Sequence, residues 1–280
     1  MTVVDGRFEG TLSRDINDYP EGVVVVIDKP YRWTSADVIR KVKFAAIRHF
    51  GKRNLKVGHA GTLDPLATGV LLVCIGNACK RAMEFQASDK EYVAGVCFGA
   101  TTPSYDLEKD VDRTFPTYGV SEESVRSMLP AFLGDQDQVA PLFSAKQVDG
   151  RRAYDLARKM LAEGLPLDEA ASELLQIGRI RINSIELESY GLSSGPASVP
   201  AGEGSGASSR INVASLPAGL PVATIRVVCS KGTYIRALAR DMGERLGSGA
   251  FLCSLCRSAC GAFRVENAAT VEKAVEILGL

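Results

Sequence analysis

Apolar and polar positions along the chain fall into short blocks whose period switches between strand-like and helix-like. Residues 22–28 are a β-branched run, Val23-Val24-Val25-Val26-Ile27, and predict a buried strand. Thr34 or Ser35 can cap a helix reaching about Phe50, with Val38, Ile39, Val42, Ala45 and Ala46 on its apolar side. Strands are expected at 69–75 and 92–98. Residues 121–133 are amphipathic, with Ser121 as cap and Val125, Met128, Leu129 and Phe132 on one face. A further helix is expected at 151–162, strands at 175–187 and 222–229, and a helix from about Thr233 to Leu246, closed by Gly247. This interleaving predicts a mixed α/β or α+β fold with most of the chain in one core.

Two stretches break the pattern. The first twenty or so residues are polar and aperiodic and read as an extended arm. Residues 191–221 are dominated by Ser, Gly, Pro and Ala and read as a flexible surface excursion. At 280 residues, 46% hydrophobic and 24% charged, the chain suits one large domain or two small ones. No basic start leads into an apolar stretch, and the run Val23 to Ile27 is too short to span a bilayer, so no membrane association and a cytoplasmic location are expected. Seven cysteines, an odd number set in apolar surroundings, suit a reducing compartment. Cys253, Cys256 and Cys260 invite a metal reading, but no fourth ligand at suitable spacing follows and the only histidines are His49 and His59. Structural thiols and no metal are expected.

Charge changes the picture only locally. The chain has 33 basic and 33 acidic residues, yet residues 40–56 hold seven basic side chains and no acid. Such a run is either a solvated helix face or a surface that tracks phosphates. It leads into Gly58-His59-Ala60-Gly61-Thr62-Leu63-Asp64-Pro65-Leu66-Ala67-Thr68-Gly69. Pro65 fixes its own φ and keeps Asp64 out of the helical region, while the glycines admit close approach. A carboxylate posed in this way suits a nucleophile or general base. An Asp-Pro pair is equally how a helix begins, with Asp as cap and Pro at the first position; the two readings are compatible.

Four more segments carry candidate chemistry. Ser230-Lys231-Gly232-Thr233-Tyr234-Ile235-Arg236 joins a strand to a helix and could hold phosphate or project Tyr234 and Arg236 into a cleft; its plain reading is a capping turn with Thr233 as cap. Tyr92, after Lys90-Glu91, is a core aromatic or a platform for a base. Asp106, in the turn after Gly99, is a turn former or an active-site orienter. Residues 141–154 are an aromatic and basic loop that runs into a helix.

Taken in order, Lys29-Pro30, residues 58–69, Ser144-Ala145-Lys146 with Gly150, Ala153 and Tyr154, residues 230–236, and Leu255, Arg257, Gly261 and Phe263 resemble the bacterial tRNA pseudouridine-55 synthases. The resemblance covers roughly 22–190 and 222–268. It implies a pseudouridine-synthase fold, α+β, with a central, largely antiparallel sheet flanked by helices and an active cleft across its middle. It implies isomerisation of uridine 55 in the T-loop of tRNA without cofactor or metal. By the same resemblance Asp64 is the catalytic aspartate and Tyr92 stacks on the flipped base. Tyr234 lies beneath that base as a candidate proton acceptor, and Arg236 pairs with the aspartate. Leu255 walls the uracil pocket, His59 helps extrude the nucleotide, and Lys29 is structural or faces RNA. Asp64 acts as nucleophile or as base at the ribose 2′ position; the sequence favours neither.

Three departures stand out. Thr102-Pro103-Ser104-Tyr105-Asp106 keeps only the last acid of the family's usual motif, Ala60 replaces a threonine, and Cys256 stands where an arginine is frequent. The expected organisation is an arm at 1–21, a catalytic domain at 22–268 containing the 191–221 insertion, and a short tail at 269–280 without an RNA-binding appendage. The expected partner is the T-arm stem-loop of tRNA, with no obligate protein partner. The rival readings are a pseudouridine synthase for another RNA, a non-catalytic RNA-binding or tRNA-folding module, and a metabolite hydrolase using Asp64.

Overall fold

The computed structural model describes residues 1–144, 147–148, 151–163, 177–195 and 211–279. Its strands in chain order are β1 Thr2–Val4, β2 Val23–Lys29, β3 Val57–His59, β4 Thr68–Ile75, β5 Lys90–Phe98, β6 Ala100–Thr101, β7 Arg113–Thr114, β8 Gly134–Gln138, β9 Gln147–Val148, β10 Arg151–Arg152, β11 Gly178–Ser194, β12 Ala218–Cys229, β13 Ala250–Cys260 and β14 Phe263–Arg264. The α-helices are α1 Ser35–Phe50, α2 Ala82–Ala87, α3 Glu122–Met128, α4 Ala153–Ala162, α5 Ile235–Arg245 and α6 Val271–Ile277. The fold is mixed α/β, as the interleaved pattern predicts, with a mostly antiparallel sheet flanked by helices, as the family resemblance implies. The chain divides into two compact units, one chiefly of residues 1–92 and 256–279, the other of 93–195 and 212–255.

In the first unit β2 and β4 lie antiparallel, from Val23 opposite Ile75 to Lys29 opposite Gly69. Both strands are buried on both faces, which is why they read as unbroken apolar runs. One face packs Val24, Val26, Val70, Leu72 and Cys74 against Ala60, Ala78, Phe85 and Cys260. β1 pairs in parallel with β2 along Thr2 to Val4, so part of the expected arm is strand. The other edge of β4 is shared: β3 pairs with its end, His59 opposite Val73, and β13 with its start, Arg257 opposite Gly69. The chain between β3 and β4 is the Asp64 loop. α1 begins at a capping box, with Thr34 and Asp37 satisfying each other's backbone N–H, and ends at Gly51 in the left-handed region. Val271–Ile277 in the expected tail is a helix capped by Thr270.

In the second unit β11 and β12 form a long antiparallel ribbon, Ile182 opposite Cys229 through Ser194 opposite Ala218, with three register shifts. β8 pairs antiparallel on the outer edge of β11. The ribbon carries strand residues through Ser194 and again from Ala218, inside the span expected as a surface excursion; residues 196–210 of that span lie outside the described residues, as do Ala145, Lys146 and Gly150 of the family motif. The expected amphipathic segment 121–133 is α3, capped by Ser121, followed by a 3-10 turn at Leu129–Phe132 that contains Pro130.

Candidate active site

The Asp64 loop is fastened at nearly every residue. Ala60 donates its N–H to Leu72 O (2.9 Å). Ser35, at the start of α1, both accepts from Leu63 N (3.0 Å) and donates to Leu63 O (3.2 Å). Asp64 O accepts from Ala67 N (3.1 Å), so Pro65 and Leu66 form the corner of a tight turn. The helix that the Asp-Pro pair could have begun is not formed; residues 64–67 are a turn feeding β4. Gly61 (φ +94°) and Gly69 (φ +98°) take the left-handed backbone a side chain would resist, and a Cβ on Gly69 would lie 2.3 Å from Arg257 O.

Two buried cations grip this loop through its carbonyls. Arg257 on β13 donates from Nε to Val70 O (2.7 Å), and from Nη2 and Nη1 to Gly61 O (3.1 Å) and Thr62 O (3.5 Å). Val70 lies on the stretch of β4 edge between the residues paired with β13 and those paired with β3, so the guanidinium satisfies a carbonyl the ladder leaves open. Lys29, fully buried at the end of β2, donates from Nζ to Trp33 O (2.6 Å), Pro30 O (2.8 Å) and Pro65 O (3.2 Å). Burial pushes its ammonium down to about 7, against the pull of Asp64 and Asp28 and with the push of Arg257. His59, half-buried at the entry to the loop, is held below its ordinary value by burial and then by Arg257, and its Nδ1 has no hydrogen-bond partner among the described residues. Tyr92 is nine-tenths buried on β5, next to Glu91, which accepts from Ser258 Oγ (2.8 Å) and Arg264 Nη1 (3.1 Å).

The second unit builds a different cluster around Arg236. Asp106 is buried and accepts from Ser104 Oγ (2.6 Å) and Glu108 N (2.9 Å). Its other oxygen stands 3.7 Å from Arg236 Nε. Arg236 also donates to Ser104 O (3.0 Å) and Phe143 O (2.7 Å), so three neighbours fix the plane of its guanidinium. Asp106 thus closes its own turn through Ser104 and Glu108 and faces the Arg236 guanidinium. Tyr234 is the N-cap residue of α5, and the Gln138 amide clamps its backbone, accepting from Tyr234 N (2.8 Å) and donating to Tyr234 O (3.2 Å). Its ring packs on the cluster of Ala140, Leu142, Phe143, Ala153 and Ala157. Thr233, expected as the cap, instead donates from Oγ1 to Ser230 O (3.0 Å). Leu255 is half-buried on β13.

Lys29, His59, Asp64 and Tyr92 therefore belong to the first unit, and Asp106, Tyr234, Arg236 and Leu255 to the second. Sequence reasoning assigned no role in the site to Arg257 or Gln138, and offered Ser35 only as an alternative to Thr34 for the cap of α1, which Thr34 is. Arg257 stood inside a family motif, but its partners are nearly two hundred residues away; nothing local pointed to the bonds of Ser35 with Leu63 or of Gln138 with Tyr234.

The sequence profile described as TruB family pseudouridylate synthase (N terminal domain) matches residues 48–192. A protein of Phocaeicola vulgatus named tRNA pseudouridine synthase B is 45% identical over 261 residues, 93% of this chain and 95% of that protein. The chain belongs to the TruB family of pseudouridylate synthases. A Bacteroides thetaiotaomicron protein of the same name is 45% identical over 250 residues, covering 89% of this chain and 90% of its own. Among solved structures, that of a Cbf5-Nop10-Gar1 complex superposes with a TM-score of 0.59 at 22% identity. It covers 98% of this chain, which spans 62% of that structure's chain. At that identity the likeness bears on the fold, which is that of the pseudouridine synthases.

Proposed function

We propose that this chain is a tRNA pseudouridine synthase that isomerises uridine 55 of the T-loop, with Asp64 as its catalytic carboxylate. The observation that carries the reading is its likeness, over nearly its whole length, to proteins named tRNA pseudouridine synthase B. The fastening of the Asp64 loop supports it, because a carboxylate acting on one carbon of a large substrate must be held before the substrate arrives.

The reaction breaks the N1–C1′ bond, turns the uracil and joins C5 to C1′. A proton leaves C5 and one is taken up at N1, so atoms and electrons balance without a redox partner. Asp64 serves as nucleophile or as base at the 2′ position, and Arg236 as the cation that keeps a carboxylate ionised. Tyr234 is placed in this reading as acceptor of the C5 proton and Tyr92 as the platform for the extruded base. His59 assists extrusion, and Leu255 supplies apolar wall. Flipping the nucleotide costs a few kcal/mol, offset by stacking and pocket contacts. The T-arm stem-loop is the partner and the cytoplasm the site of action. Seven cysteines, all free, suit that compartment, and no helix among the described residues is long and apolar enough to cross a membrane.

Carbodiimide mapping of tRNA incubated with the protein tests the position. One new pseudouridine at T-loop position 55, absent when that uridine is replaced by cytidine, is expected. Modification elsewhere, or in another RNA alone, would overturn the assignment.

A further inference from the structure

The basic run at 40–56 takes no part in the site described above. All of its basic side chains are exposed. On α1 the buried positions Val38, Val42, Ala45, Ala46 and His49 face the protein, which turns Arg40, Lys41, Phe44 and Arg48 outward as one stripe at helical spacing. Arg40 is neutralised by Asp37 at 3.0 Å. Phe44 is 59% exposed, unusual for so large an apolar side chain, and Arg48 stands over its ring at 5.7 Å. Gly51 then ends the helix, and Lys52, Arg53 and Lys56 follow on the short connection to β3. β3 in turn runs into the Asp64 loop, so the patch and the catalytic carboxylate belong to one unit and one continuous segment. α6, which packs against α1, brings Glu272 and Glu276, the latter paired with Lys273 at 3.3 Å.

We propose that Lys41, Lys43, Arg48, Lys52, Arg53 and Lys56, with Phe44, form a docking surface for the sugar-phosphate backbone of tRNA, separate from the residues that handle the flipped uridine. The inference rests on the reading of this chain as a tRNA enzyme. The argument is charge complementarity: a surface with six cations that form no ion pair among the described residues, in a chain whose overall charge is balanced, is matched by the regularly spaced anions of an RNA backbone. Phe44 and its stacked arginine add a contact that an unstacked base or a ribose can share. Such contacts contribute affinity and register and do not touch the reacting atoms.

The test compares the full chain with Lys52→Glu/Arg53→Glu and Lys41→Glu/Arg48→Glu. Binding of unmodified tRNA is titrated across a salt series, and the single-turnover rate is measured at saturating tRNA. As a control, Arg113→Glu/Arg126→Glu makes the same change of net charge on β7 and α3. Each patch variant is expected to bind at least tenfold more weakly at low salt, with the slope of log Kd against log salt reduced by about 1.5 to 2 for two lost phosphate contacts. Its saturated rate should equal that of the unaltered protein, which also reports an intact fold. Unchanged affinity and slope, or an equal loss in the control, would overturn the proposal. If the unaltered protein neither binds nor modifies tRNA, the tRNA reading itself fails and takes the docking surface with it.

Discussion

Lys29 holds three backbone carbonyls with one ammonium, one of them on the residue after Asp64. Its ordinary value is 10.5 and its buried value about 7. Between those limits the unfolded chain keeps a proton that the folded chain has released, so this residue makes stability rise with pH; below 7 both forms are charged and the dependence vanishes. The difference between the native protein and Lys29→Met from pH 7 to 8.5 isolates it, because the titrations the two share cancel. Among the shared titrations, His59 is shifted below its ordinary 6.5, and the thiols of the unfolded chain are half ionised near 9.0. Urea unfolding should show the native protein gaining on Lys29→Met across that window by at most about 2 kcal/mol. A constant difference would mean that Lys29 keeps its proton throughout. Arg257 makes the second prediction at this scale. Arg257→Met removes the donors for Gly61 O and Thr62 O and should slow single-turnover isomerisation on the order of 10²-fold, the cost of a catalytic group about 1 Å out of place. tRNA affinity should change little; a normal rate would show that the loop holds its shape without the guanidinium.

At the scale of elements, the junction of β4 with β13 decides whether the loop closes. Gly69 has φ +98°, and a Cβ there would press on the Arg257 backbone. Gly69→Ala should therefore destabilise the protein by more than about 2 kcal/mol, since left-handed strain alone costs 1 to 3, and thermal unfolding measures it. Unchanged melting would mean that the two strands can part without loss. The same junction shows where local pattern stops being informative. β2 and β4 are unmistakable in sequence because both of their faces are buried. β13, Ala-Phe-Leu-Cys-Ser-Leu-Cys-Arg-Ser-Ala-Cys, mixes small, polar and sulfur-bearing residues, and neither a β-branched run nor a clean alternation marks it as a strand. β8, Gly-Asp-Gln-Asp-Gln, is wholly polar apart from its glycine, yet pairs along β11. Their partners are chosen by long-range pairing, which no local window contains.

At the scale of the whole molecule, the residues expected to do chemistry were legible because motif and spacing confine them to a few short strings. What positions them was not. Ser35 reaches Leu63 across 28 residues, Gln138 reaches Tyr234 across 96 and Arg257 reaches Val70 across 187. Each is a side chain satisfying backbone groups that no regular element pairs, a need that exists only once the chain has folded. The account assigns one reaction to the whole assembly, and release of tritium from tRNA labelled at C5 of uridine measures that reaction directly. The unaltered protein should release tritium from unmodified tRNA, while Asp64→Asn should bind the same tRNA with nearly equal affinity and release none. Release by Asp64→Asn at the native rate, or tight binding without release by the native protein, would contradict it.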